Sequence, residues 1–274
     1  MQLMVPGFLR LWPCPSLPPS SLLSRPFTVL RMRACAVHRA LETEVAAARL
    51  RLGGPPRVLD VGGGSGVWAV PLARSGCLVT VVEPSPNALA TLHRRATEAG
   101  VQESVRPVQG DADSLSDVVP AAHADLVLGH GVLEVVEDPT AAMQALADAT
   151  APGGAVSVLV ANRYAAVLVR ALAGRLAEAR QLLDDPDGRL GLPDPVLRRF
   201  DTDGLVALVQ ASGLGIELVQ GDGVVADLVP GAVLEAHPGA AEALVELELC
   251  AAGRAPLRDI ATRLHALARR PALE

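Results

Sequence analysis

No lysine occurs among the 274 residues; all 24 basic side chains are arginines, against 30 acids, for a formal charge of −6. That balance excludes a global basic field for nucleic acid and leaves only a local arginine patch to attract a polyanion. Aromatic residues number three Phe, two Trp and one Tyr, too few for a base-stacking platform. Four cysteines, Cys14, Cys35, Cys77 and Cys250, are scattered without a C-x-x-C pair, which predicts neither a metal site nor a disulfide framework. Cys77 and Cys250 read as small buried apolar residues. No apolar run is long enough to span a membrane, and prolines at 6, 13, 15, 18, 19 and 26 break the apolar N-terminus. No signal peptide is read there, and the expected location is cytoplasmic.

What is abundant is Ala, Val, Leu and Gly: half of the chain is apolar, enough for the core of one α/β domain with appendages. Residues 1–30 read as a disordered extension, with Met32 as an alternative start. Residues 31–54 suit an amphipathic helix carrying Met32, Cys35, Ala36, Leu41, Val45 and Leu50 inward, closed by Gly53-Gly54-Pro55-Pro56. Residues 55–270 form the main domain, in which strands and helices alternate. Strands are expected at Val58–Val61, Leu78–Val82, Val105–Val108, Ala124–Gly129, Ala155–Val160, Ile216–Gln220 and Ile260–Ala268. Helices are expected at Asn87–Gly100, Pro139–Thr150, Ala165–Leu183, Asp203–Ser212 and Pro238–Ala252, with Pro152-Gly153-Gly154 as a turn. The βαβ rhythm predicts a doubly wound, seven-stranded, mostly parallel α/β sheet with right-handed crossovers. Residues 161–200 interrupt it as an insertion placed to cover a substrate.

The richest segment is Val58-Leu59-Asp60-Val61-Gly62-Gly63-Gly64-Ser65-Gly66, a strand that enters a glycine-rich turn before a helix. Such a corner lets a ligand approach the backbone closely. Gly64 to Ala69 also fits G-x-G-x-x-A, the dinucleotide pattern, but a pyrophosphate favours a neutral helix N-terminus rather than an acid beside it. Other candidates stand at later strand ends, where open α/β sheets bind ligands. Glu83 ends the second strand, Gly110-Asp111-Ala112-Asp113 follow the third, and His130 ends the fourth. His130 is placed to line a ligand site, orient a substrate or accept a proton; Asp111 and Asp113 serve equally as polar loop residues or caps. Arg163, Tyr164, Arg198 and Arg199, in or beside the insertion, are candidates for an anionic substrate.

The spacing D-x-G-x-G-x-G from Asp60 to Gly66 resembles the cofactor corner of class I S-adenosylmethionine (SAM) methyltransferases, as does the ordered series of strand-end residues over about 55–160. That resemblance implies a Rossmann-like methyltransferase fold with an antiparallel edge and SAM as cofactor. The strand-end acid suits it, because the methionine part of SAM carries an ammonium. A closer resemblance, over about 31–270, is to the tRNA 5-carboxymethoxyuridine methyltransferase group. It is carried by Arg33, Leu59-Asp60-Val61-Gly62-Gly63-Gly64, the run His130 to Pro139, Pro152-Gly153-Gly154 and Asn162. It implies SAM contacts at Arg33, Gly62, Gly63, Glu83, Ala112, Asp113 and His130, with Asp60, Gly64 and Asp111 beside them, and His130 as the one candidate for catalysis. Gly223, Ala226 and Leu228 stand where that group carries Arg, His and Tyr, and Asp184–Asp187 replace its lysine run. The acceptor therefore stays open between tRNA and a small molecule, with a carboxylate, hydroxyl or amine as the receiving group. No metal and no membrane are expected, and oligomeric state is not legible. Two other classes stay in view. A nicotinamide-dependent oxidoreductase needs a Tyr/Lys pair, and this chain has only Tyr164. A non-catalytic module would bind SAM without turnover.

Overall fold

The structure, a computed structural model, describes residues 36–192 and 194–272. Helix α1 (Ala36–Leu52) leads into β1 (Arg57–Val61), α2 (Ala69–Arg74), β2 (Leu78–Glu83), α3 (Pro86–Glu98), β3 (Val105–Gln109), α4 (Leu115–Val118), β4 (Ala124–His130), α5 (Pro139–Ala149) and β5 (Thr150–Ala161). The insertion follows as α6 (Arg163–Leu172) and α7 (Leu176–Asp184). The chain closes through α8 (Thr202–Ala211), β6 (Gly215–Asp222), α9 (Gly231–Ala236), α10 (Ala240–Ala252) and β7 (Arg263–Arg269). The seven strands run in the order β3-β2-β1-β4-β5-β7-β6. The first five are parallel, and β7 is antiparallel to both of its neighbours. This is the doubly wound, mostly parallel sheet that the alternation predicts, with the antiparallel edge that the resemblance implies. Strand order reverses at β1 and β4, which opens a crevice at their carboxyl ends.

Each strand divides its side chains between two layers because successive residues point to opposite faces. Leu126, Leu128 and Leu159 join Val37, Leu41 and Val45 of α1 and Leu72 of α2 on one face. Val127, Val156 and Val158 join Met143 and Leu146 of α5 and Leu205 of α8 on the other. Met143 and Leu146 have no exposed surface; each such side chain contributes about 1.5–3 kcal/mol. Two of the helices, α3 and α5, start on side-chain caps. Ser85 Oγ accepts from Ala88 N at 3.3 Å, with Pro86 in the first turn, and Asp138 accepts from Thr140 N at 2.8 Å ahead of α5. These caps fix where strand ends give way to helix.

Several expectations are corrected. The single helix over 165–183 is two, α6 and α7, broken at residues 173–175. The Pro152-Gly153-Gly154 turn lies inside β5: pairing jumps from Ala124↔Thr150 to Leu126↔Ala155, so these residues bulge out of the ladder rather than precede it. The stretch 221–228 is strand only to Asp222; beyond it the N–H groups of Val224, Val225 and Ala226 turn into the Glu248 carboxylate. Leu50 is exposed rather than inward, and Cys250 is exposed while Cys77 is buried. Helices α4 and α9 were not anticipated. The extension over 1–30, Met32 and Arg33 lie outside the described residues. Among the described residues, no helix is long and apolar enough to cross a membrane.

Candidate functional site

The glycine-rich turn between β1 and α2 folds over the carboxyl end of β1. Gly62 has φ +67°, and a Cβ there would stand 2.8 Å from Val132 Cγ2. A Cβ on Gly63 would stand 2.5 Å from Asp60 Oδ2 and 2.8 Å from Val81 Cγ1. The turn therefore presses on its own strand-end acid, and only glycine permits the approach. Asp60 is buried, and its Oδ2 has no hydrogen-bond partner among the described residues. Burial, with a smaller contribution from the Glu83 charge, pushes its carboxyl up to about 7. A buried carboxylate oxygen without a donor is costly and is relieved by a cation.

Glu83, at the end of β2, faces the same turn. Its Oε2 accepts from Gly64 N and its Oε1 from Ser85 N, each at 3.0 Å. Two backbone donors orient this carboxylate, and each oxygen keeps a further lone pair for a hydroxyl. Arg95 of α3 donates to Ser65 Oγ at 2.8 Å and Ser65 O at 3.2 Å, clamping the turn from outside. In the next loop, Ala112 is buried in the core and Asp113 is exposed. Asp111 accepts from Ser114 N at 2.9 Å and Ser114 Oγ at 2.6 Å, and these bonds hold its carboxyl below the usual range. Asp111 is thus a loop cap, one of the two roles open to it.

His130 ends β4 across the crevice. Its ring lies edge-to-face on Trp68, 4.9 Å between centroids at 82°. Its Nε2 is 2.8 Å from Ser157 Oγ, and its Nδ1 is buried with no partner among the described residues. Burial first, then the charges of His265 and Arg263, lower its pKa well below the usual value, so the ring is neutral near pH 7. Beside it, burial raises the carboxyl pKa of Glu134, whose Oε2 also lacks a partner among the described residues.

The structure brings Asp60, Gly62, Gly63, Gly64 and Glu83 into one corner, with His130 on the far wall and Asp111–Asp113 in the adjoining loop. The insertion residues behave differently. Arg163 pairs with Asp201 and donates to Asp185 O at 3.1 Å. Arg198 donates to the carbonyls of Leu133, Val136 and Glu137. Arg199 pairs with Asp194 at 2.8 Å and donates to Gly188 O at 3.0 Å. Three guanidinium groups read as candidates for a substrate anion are thus engaged by the protein itself, and Arg198 and Arg199 are buried. Tyr164 stays partly exposed with the Arg163 guanidinium 5.1 Å above its ring. Trp68, Arg95, Glu134, Ser157, Gln220, Arg263 and His265 border the site or support it without having been singled out. A lone polar residue inside an apolar strand, Ser157 in β5 and His265 in β7, was the available signal.

Residues 34–219 match the family model described as a methyltransferase domain. The chain belongs to this family, in its class I, SAM-dependent form. A ubiquinone biosynthesis O-methyltransferase from Xanthomonas axonopodis pv. citri (strain 306) is 36% identical over 139 residues, 51% of this chain and 56% of that relative. This chain thus spans little more than half the length of that relative. The tRNA 5-carboxymethoxyuridine methyltransferase of Escherichia coli (strain K12) is 26% identical over 217 residues, 78% of this chain and 80% of that relative. An S-adenosylmethionine dependent methyltransferase from Mesorhizobium loti shares the fold, with TM-score 0.54 at 20% identity over 86% of this chain and 98% of that one.

Proposed function

We propose that this chain transfers a methyl group from SAM to an acceptor held under the 161–200 insertion. The observation that carries the reading is the buried Oδ2 of Asp60, which has no hydrogen-bond partner among the described residues and lies against Gly63 of the turn. It fits the ammonium of SAM. Glu83, already aligned by two N–H groups, fits the ribose hydroxyls; the Ala112 backbone and Asp113 fit the adenine edge. When bound, SAM supplies an electrophilic methyl on a sulfonium. The chain's own work is then alignment and exclusion of water: Val132 packs against Gly62 of the turn, and Trp68 packs against His130. Arg33 is retained as a further candidate for the cofactor carboxylate, from a helix turn that precedes the described residues.

For the acceptor, a small molecule is the reading we favour. The insertion arginines are occupied internally, and the net charge is −6. The tRNA reading, with a carboxylate acceptor, is kept because the relative bearing that name aligns over 78% of the chain. Binding comes first in the test. Glu83→Ala and Gly62→Val are each expected to abolish detectable SAM binding by calorimetry; normal affinity in both would sink the assignment. Labelled methyl from SAM is then offered with host RNA and small-molecule fractions in parallel. Label in tRNA released by mild base supports the ester reading, and label confined to small molecules discards it. Binding without transfer to either fraction points to a non-catalytic module.

A further inference from the structure

Four strands carry one polar thread across the α1-side face of the sheet. His130 Nε2 lies 2.8 Å from Ser157 Oγ, Ser157 Oγ lies 2.8 Å from His265 Nε2, and His265 Nδ1 lies 3.0 Å from Gln220 Nε2. The residues share a face because His130 and His265 both register with Leu159, two residues from Ser157, and Gln220 registers with His265. Ser157 and His265 have no exposed surface and Gln220 is buried. Burial holds His265 neutral, down to about 4.

A neutral thread of this kind has a direction. With the amide nitrogen of Gln220 toward His265, Gln220 can only donate, so His265 Nδ1 is then the bare nitrogen and its proton sits on Nε2. That N–H donates to Ser157 Oγ. The serine has one proton, and it goes to His130 Nε2. The remaining proton of His130 therefore sits on Nδ1, the buried atom without a partner among the described residues. We infer that Gln220, His265 and Ser157 are positioning residues that fix the tautomer of His130, so that its buried Nδ1, unpartnered among the described residues, carries an N–H donor instead of acting as a base. The edge-to-face contact with Trp68 holds the ring in that orientation. The inference rests on His130 lining the methyl-transfer site. It assigns His130 to hold an oxygen of the acceptor, and leaves any proton removal to another group.

The tautomer is read directly. Protein labelled with nitrogen-15 at histidine, without ligand and at neutral pH, is expected to show His130 with a protonated Nδ1 and a bare Nε2 in long-range proton–nitrogen correlation. Gln220→Met and Ser157→Ala are each expected to replace that single tautomer with a mixture while SAM affinity stays within about twofold, since neither residue is placed in the cofactor corner. A wild-type His130 protonated at Nε2 overturns the inference without any substitution. So does an unchanged Nδ1–H tautomer in both variants. Failure of the wild-type protein to bind SAM, with the tautomer as expected, overturns the site reading and leaves the thread standing.

Discussion

In the proposed site, one proton on Asp60 couples folding to ligand binding. Its folded value, about 7, lies above that of an unfolded aspartate. The stability associated with the protonated form is fully present below the unfolded value, near pH 4, and is lost as pH rises through about 7. Asp60→Asn keeps the shape and cannot ionise, so it is expected to gain melting temperature relative to wild type across that window. The comparison by thermal unfolding from acid to mildly alkaline pH checks it. An ammonium ligand needs the ionised form, so wild-type SAM affinity is expected to weaken by about tenfold per pH unit below about 7. Calorimetry in buffers of different ionisation enthalpy is expected to find a proton released on binding at acid pH. A flat pH profile would remove Asp60 from the ammonium site. Asp60, its glycines and Glu83 were legible in sequence because the backbone geometry of a βα corner demands particular residue types at fixed spacing. The occupied state of Arg163, Arg198 and Arg199 was not, because their partners, Asp201, Asp194 and several carbonyls, are set by how the insertion folds back on itself.

At the scale of elements, Asn162 joins the insertion to the sheet. Its Oδ1 accepts from Tyr164 N at 3.0 Å and caps α6, while its Nδ2 donates to Asp259 O at 2.9 Å and Ala261 O at 2.7 Å, just ahead of β7. The residue is buried. Asn162→Ala loses the cap and strands two carbonyls, an expected loss of about 2–4 kcal/mol in urea denaturation. Asn162→Asp keeps the cap but sets a carboxylate against the same carbonyls, and is expected to be no more stable than the alanine variant. A stable aspartate variant would show that the cap alone matters. Asn162 was noticed as part of a family pattern, whereas its double attachment depends on a contact 97 residues away in sequence. The strands were legible for a local reason, since buried parallel strands read as short apolar runs between turn residues. Helix α4, four residues long, leaves no period to detect. The break between α6 and α7 falls at Gly174, whose φ of +75° ends the first helix, a single glycine set between two helical patterns.

Over the whole molecule, α1 is fastened to the far edge of the sheet by Arg269. The guanidinium meets Glu44 of α1 at 2.6 and 2.8 Å and Glu217 of β6 at 2.6 and 2.7 Å. Glu44 is buried, with a side chain only 4% exposed. Arg269→Gln would leave that buried carboxylate with only Arg51, at 3.7 Å, as a partner among the described residues, with an expected loss of about 3 kcal/mol, and Glu44→Gln in the same chain is expected to restore part of it. A double-mutant cycle by chemical denaturation measures the coupling, and strictly additive losses would show the pair to be independent. The position of β7 has a further consequence, for biosynthesis. Residues 263–269 lie between two strands that are translated before them, so β6 has no neighbour to pair with until they emerge. A nascent chain can close the cofactor corner early, yet it carries a bare strand edge and lacks Arg263 and His265 until this late segment appears. During that interval the open edge is a target for chaperones and for aggregation.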